Sequence, residues 1–212
     1  MLKPGKGIMT IISGFSGSGK GTVINRLLEK YPGRFWLSVS ATTRGIREGE
    51  KEGVNYFFVS KEEFERMIEE GELLEYTNYV GNYYGTPKSS VEKKLQEGYD
   101  VILEIEQEGA MNVKRALPES LLIFLTPPTI EELENRLRNR GTESEEVIQE
   151  RLEKAALEAE NIGLYDFILI NDDLEGCVES LSRLIESERS RVSRNSSSIS
   201  SLKEGLLKYK KH

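Results

Sequence analysis

The sequence predicts an α/β protein whose core is a doubly wound parallel sheet, and three observations carry that expectation. Short apolar runs rich in β-branched residues recur at 8–13, 101–105, 121–125 and 167–170. Segments with apolar residues at helical spacing separate them, the alternation that parallel strands with crossover helices require. The first run leads through a Gly/Ser-rich turn straight into a helical pattern, so strand, loop and helix follow one another without a linker.

Taken in order, residues 8–13 (Ile-Met-Thr-Ile-Ile-Ser) form the first buried strand, and Val23, Ile24, Leu27 and Leu28 mark one face of the helix that follows. From about Phe35 to Pro87 the alternation stops. This stretch is rich in Gly, Tyr and Thr and holds one good helix, near 61–70, striped by Phe64, Met67 and Ile68. It reads as an inserted substrate lobe, residues 35–87. Residues 129–164 give two helices joined at 141–144, one striped by Ile130, Leu133 and Leu137, the other by Val147, Ile148, Leu152 and Ala155. They read as a helical lid. The core is then 1–34, 88–128 and 165–186, and the Ser-rich, basic segment 187–212 is expected to be a flexible tail.

Composition narrows the chemistry. With 212 residues, 37% hydrophobic and 31% charged, the chain suits one compact domain with inserted lobes. No apolar run approaches the roughly 20 residues that cross a bilayer, and residues 1–7 carry no secretory apolar segment, so a cytoplasmic location and no membrane partner are expected. Cys177 is the only cysteine and His212 the only histidine. A disulfide framework, a thiolate metal cage and a His-based triad are therefore not expected. The net charge of −7 opposes broad nucleic-acid binding, so a polyanionic ligand must be met by a local gathering of cations. Nothing in the sequence calls for an obligatory protein partner.

Such a gathering begins at Gly14-Phe15-Ser16-Gly17-Ser18-Gly19-Lys20, which fits G-x-x-x-x-G-K between a strand and a helix. Glycines let successive N–H groups turn inward, the helix N-terminus adds partial positive charge, and Lys20 can bridge the β- and γ-phosphates of ATP. The fold class sharpens to a P-loop NTPase-type parallel sheet flanked by helices. Gly21 replaces the usual Ser or Thr, so the nearest hydroxyl for magnesium is that of Thr22. The Gly-Lys-Gly-Thr form is similar to that of adenylate kinases and other nucleoside monophosphate kinases.

Four further segments choose the acceptor: 38–47 (Ser-Val-Ser-Ala-Thr-Thr-Arg-Gly-Ile-Arg), 53–60 (Gly-Val-Asn-Tyr-Phe-Phe-Val-Ser), Glu75, and 81–86 (Gly-Asn-Tyr-Tyr-Gly-Thr). Together with the phosphate loop and the lid they resemble the guanylate kinase family, from about residue 7 to 186. The resemblance implies transfer of a phosphoryl group from ATP to GMP, with dGMP as a further acceptor, on a core carrying an inserted GMP-binding lobe. Guanine offers N1–H and N2–H₂ donors side by side, which a carboxylate can accept as a pair. The resemblance gives that role to Glu75, with Ser40 and Thr86 near the acceptor edge of the base, and Arg44, Arg47, Tyr56 and Tyr84 on the GMP phosphate.

Glu104 and Glu106 alternate at the end of the run 101–105 and so share one sheet face near its carboxyl edge. Glu104, with Thr22, is expected to orient magnesium through water, and Glu106 to contact GMP. The family pattern usually has Asp at position 106 and Gln at 108, so Glu106 and Glu108 are departures. In the lid, Arg136 and Arg140 fall on one helical face and Arg151 borders the buried face of the next helix. The resemblance places all three on ATP phosphates or on the group in flight, with Lys20 and Arg44, and puts Asn171 near the ATP base. Two rival readings are a guanylate-kinase-like protein-binding module without catalysis and a kinase for another nucleoside monophosphate. The intact phosphate loop and lid arginines oppose the first, and the acceptor motifs the second.

Overall fold

The computed structural model describes residues 6–79, 81–139 and 144–210. At its centre is a five-stranded, wholly parallel sheet in the order β2-β7-β1-β8-β9. In chain order these strands are β1 (Met9–Gly14), β2 (Phe35–Leu37), β7 (Asp100–Glu104), β8 (Leu121–Thr126) and β9 (Phe167–Ile170). Between β2 and β7 the chain builds a second, four-stranded sheet in the order β4-β3-β6-β5. It comprises β3 (Ser40–Thr42), β4 (Tyr56–Phe58), β5 (Leu73–Tyr79) and β6 (Asn82–Pro87), with helix α2 (Lys61–Glu69) beside them.

The central strand explains the layering. Successive side chains of β1 point to opposite faces, so Ile12 packs with Val23, Ile24 and Leu27 of α1 (Lys20–Lys30) and with Val178, Leu181 and Ile185 of α7 (Leu174–Glu188). Ile11 packs on the other side with Val91 and Leu95 of α3 (Lys88–Gln96) and Ala110 and Val113 of α4 (Gln107–Ala116). A third cluster joins the lid to the core. Leu133 and Leu137 of α5 (Ile130–Arg138) and Ile148 and Ala155 of α6 (Glu145–Ala159) close over Phe15 and Phe124. Phe124 meets Phe15 edge-on at 4.9 Å between ring centres and Tyr165 at 5.1 Å, so one core ring supports both lid and phosphate loop.

Three expectations need correction. Phe35–Leu37 is not lobe but the edge strand of the central sheet, paired with residues 100–102 of β7; a three-residue strand is too short to show a period. Strand β9 is not buried on both faces, since Ile168 and Ile170 are more than half exposed at the other edge. Within the described residues, the segment beyond Glu186 is largely helical in place of an open tail. Helix α7 runs on to Glu188, a short 3-10 turn follows at Val192–Asn195, and α8 spans Ser196–Leu206. Buried Glu188 holds Arg191 and Arg194, at 2.8 and 3.2 Å, while Arg189 reaches buried Asp100 at 2.6 Å. Two local pairs and the long-range one to Asp100 tie down residues 188–195, and composition alone could not reveal them.

Because Phe124 is fully buried between lid and sheet, Phe124→Ala is expected to lower stability by about 3–5 kcal/mol. Equilibrium denaturant unfolding measures it.

Candidate functional site

The phosphate loop is fixed at both ends. Gly14 ends β1 with φ +154, and a Cβ there would lie 2.0 Å from the Leu125 carbonyl oxygen, so only glycine permits this approach of β1 to β8. At the other end α1 begins at Lys20 with Gly19 as N-cap, no side-chain cap and no acidic residue in the first turn. Its leading N–H groups are therefore left for an anion. The loop carbonyls are held from outside. Asn171 Nδ2 donates to the Ser18 carbonyl at 2.9 Å, and Arg136 donates to the carbonyls of Ser18 (3.4 Å) and Asn171 (2.9 Å).

Lys20 Nζ donates to the carbonyls of Gly14 (2.7 Å) and Phe15 (3.2 Å), which folds the ammonium over the loop. Burial lowers its pKa, against the opposing pull of Glu104, Glu106 and Glu158.

Facing the loop is a cleft of about 370 Å³ that Lys20 shares with Ser40, Tyr56, Glu75, Thr77, Tyr79, Tyr84, Gly85, Glu104, Ile105, Glu106 and Gly109. Glu75 is its deepest carboxylate, 7% exposed, and accepts from Thr86 Oγ1 at 2.7 Å. A charged residue points inward here because the β5–β6 register shifts between Leu73 and Tyr76, and such a bulge re-aims a side chain. Burial raises the pKa of Glu75, and the bonds from Thr86 oppose the shift. Glu104, which lines the cleft from the exposed end of β7, is likewise raised by desolvation, while Lys20 pulls it down.

At the lobe side, Arg44 is paired in a two-pronged fashion with Glu50, at 2.7 and 3.0 Å, and also donates to the Gly45 carbonyl at 2.8 Å. Its guanidinium lies 5.4 Å from the centre of the Tyr56 ring, and Tyr56 meets Tyr84 edge-on at 5.9 Å. Hydrogen bonding from Arg44 holds the Glu50 carboxyl below its ordinary range. Arg47 is exposed next to this group, its backbone N–H donating to Glu50 at 2.9 Å.

The structure thus brings Lys20, Ser40, Tyr56, Glu75, Tyr84, Thr86, Glu104 and Glu106 to one cleft, with Arg44 behind Tyr56. Arg151 reaches the phosphate loop from the lid by donating to Ser16 Oγ. Arg140 lies outside the described residues. Thr22 is exposed on α1 and does not line the cleft. Asn171, expected near the ATP base, is buried and engaged in holding the loop. Among the described residues no three His, Cys, Asp or Glu side chains cluster as a protein-only metal site.

Three participants escaped sequence reasoning. Glu50 orients Arg44 from six residues away, and only its place after Arg47-Glu48-Gly49 hinted at a turn. Lys154 reaches Glu106 across the cleft at 2.7 Å, which no local pattern signals. Gly109, in the first turn of α4, leaves the space for Glu75: a Cβ there would lie 2.6 Å from Glu75 Oε2.

A parallel sheet whose first strand ends in a phosphate loop, with a carboxylate-lined cleft facing that loop, defines a P-loop nucleotide-binding protein carrying an inserted acceptor lobe. The sequence profile of the guanylate kinase family matches residues 6–188. A guanylate kinase from Desulfitobacterium hafniense is 47% identical over 193 residues, covering 91% of this chain and 96% of the relative. One from Clostridium tetani is 48% identical over 202 residues, covering 95% and 96%. The crystal structure of guanylate kinase from Anaplasma phagocytophilum superposes with a TM-score of 0.71 at 34% identity, covering 90% of each chain. The chain belongs to the guanylate kinase family.

Gly109→Ala displaces the Glu75 carboxylate, and losing one charge-assisted hydrogen bond costs about 1.5–3 kcal/mol. KM for GMP is expected to rise roughly tenfold to a hundredfold, with KM for ATP little changed, in steady-state assays.

Proposed function

We propose that the protein transfers the γ-phosphoryl group of ATP to a phosphate oxygen of GMP, giving ADP and GDP, and that dGMP is also accepted. The observation that carries this reading is the placement of a phosphate loop with Lys20 and of a buried carboxylate, Glu75, on one cleft. Family membership and close relatives named guanylate kinase support it.

The accepting oxygen is already anionic, so the reaction needs no general base, and no histidine is among the described residues that line the cleft. What remains is positioning and neutralisation of charge. Residues Gly14, Phe15, Ser16, Gly17, Ser18, Gly19, Gly21 and Thr22 form the loop and first helical turn on which the ATP phosphates rest. Lys20 holds the β- and γ-phosphates. Arg44 and Arg47, with the hydroxyls of Tyr56 and Tyr84, hold the GMP phosphate, and Glu50 keeps the Arg44 fork in its plane. Arg151 approaches the transferred group from the lid, and Arg140 is assigned the same task. Arg136 acts through the loop, by holding the carbonyls of Ser18 and Asn171. Glu75 accepts N1–H and N2–H₂ of guanine while Thr86 fixes its other face; Ser40 and Glu106 complete the pocket.

The cleft fits magnesium held mainly by phosphates and water. Glu104 is a carboxylate beside Lys20 in the cleft lining, and with one or two protein oxygens a magnesium ion keeps its remaining positions for other ligands. Glu104, and Thr22 at greater remove, would hold it through water. Such an ion would supply positive charge that offsets the charge of the phosphates.

Lys20→Ala is expected to reduce turnover on the order of a hundredfold or more, read as ADP formation from ATP in a coupled assay with GMP, dGMP, AMP, UMP and TMP as acceptors. Equal use of GMP and AMP by the native protein would refute the base-reading role of Glu75.

A second test uses pH. Because the Glu75 pKa is raised, its carboxyl takes up a proton at a higher pH than an ordinary glutamate does. KM for GMP is expected to climb as pH falls through that raised value, and Glu75→Gln should flatten the climb. The same shift makes the folded state bind the extra proton, so the Glu75 contribution to stability falls as pH rises from the ordinary value through the raised one. Denaturation midpoints of wild type and Glu75→Gln across that window measure this second effect.

A further inference from the structure

One face of α6 touches both halves of the cleft. Arg151 donates to Ser16 on the phosphate loop. One turn later, Lys154 places Nζ 2.7 Å from Glu106 Oε2 and 5.3 Å from the centre of the Tyr79 ring. Glu106 and Tyr79 both line the acceptor side of the cleft. Lys154 also lies 3.6 Å from Glu158, a further turn along the same helix. Among the described residues, this is the ion pair that joins the lid helix to the acceptor wall.

Charge explains why that matters. Among the described residues, the cleft lining holds three carboxylates, Glu75, Glu104 and Glu106, and a single ammonium, Lys20. Glu75 has Thr86 and Glu104 has Lys20 close by. Glu106 feels Lys20 only at a distance, and its direct ion-pair partner is Lys154, which lies outside the lining and arrives from another element. Without it, a nucleotide phosphate would enter past a more negative wall, with Lys20 left to offset both Glu104 and Glu106.

We propose that Lys154 is a positioning residue for the acceptor nucleotide: from the lid it neutralises and orients Glu106, so that docking of α6 and binding of GMP favour one another. The role rests on the reading of the cleft as the GMP site. Coupling of this kind is reciprocal, so whatever Lys154 lends to GMP binding GMP lends to the docked lid. The pair is not a stability device, because its side chains are 43% and 56% exposed, and exposed pairs contribute little to folding. Partial burial beneath a bound nucleotide raises its strength where the reaction needs it.

The test compares wild type, Lys154→Met, Lys154→Arg, Glu106→Gln and the double variant Glu106→Gln/Lys154→Met, in steady-state kinetics and in calorimetry with GMP. Lys154→Met is expected to raise KM for GMP about fivefold or more, with KM for ATP changed less than about twofold and the melting temperature nearly unmoved. Lys154→Arg should return KM for GMP to within about twofold of wild type, and the methionine change should have little further effect once Glu106 is glutamine. An unchanged KM for GMP in Lys154→Met, or a rise just as large in the Glu106→Gln background, would overturn the proposal. Calorimetry separates the two levels: wild type that fails to bind GMP removes the reading of the cleft, whereas wild type and Lys154→Met binding GMP equally removes only the role of Lys154.

Discussion

The site depends on one constraint: the phosphate loop must present its N–H groups to an anion, so its carbonyls have to be satisfied from behind. Lys20 takes the carbonyls of Gly14 and Phe15, and Asn171 and Arg136 converge on that of Ser18. The loop is thereby tied to the ends of β1 and β9 and to the lid helix α5. Phe15 completes the arrangement by turning away from the cleft into the cluster of Phe124, Leu133 and Leu137. Loop, lid and sheet thus share a single packing unit, and a motion of one is felt by the others.

A second theme is the use of negative charge in a protein that handles anions. Glu75 is buried at a cost that its raised pKa records, and the β5 bulge, Thr86 and the bare backbone of Gly109 together make room for it. In the proposed reading selectivity follows from that cost, because a buried acceptor left without its partner loses the full value of the pairing. Glu50 does the opposite work, standing outside the cleft and fixing Arg44 in the plane a phosphate can use. Carboxylates therefore stand in three settings, Glu75 buried against Thr86, Glu50 paired with Arg44 outside the cleft and Glu104 near Lys20, each distinguished by its surroundings.

Much of this was legible in the chain. Residues 8–13 and 14–20 announce strand and phosphate loop because β-branched runs, glycines and a lysine at fixed spacing have few other uses. Leu133, Leu137 and Ile148 sit on the lid's buried face as their spacing implied, although Ile130, placed on the same stripe, is 62% exposed. Less legible were the edges. Strand β2 has three residues and no period to read, and the exposure of Ile168 and Ile170 follows from β9 lying at the sheet's margin, a fact of topology. The serines after Glu186 resemble a solvated tail until Glu188 is seen to pair with Arg191 and Arg194, and Arg189 with Asp100.

By itself, then, the sequence determined the alternating core, the anion-binding loop, the acceptor motifs and the family, because each is written in short-range spacing or in contiguous residues. Only the tertiary structure decided that Asn171 holds the loop, that Gly109 clears space for Glu75, that Glu50 steers Arg44 and that Lys154 meets Glu106. Two of these contacts cross long stretches of chain, 153 residues from Asn171 to Ser18 and 48 from Lys154 to Glu106. Such partners are selected by how helices and strands pack, and packing is a property of the assembled layers that no local window of residues contains.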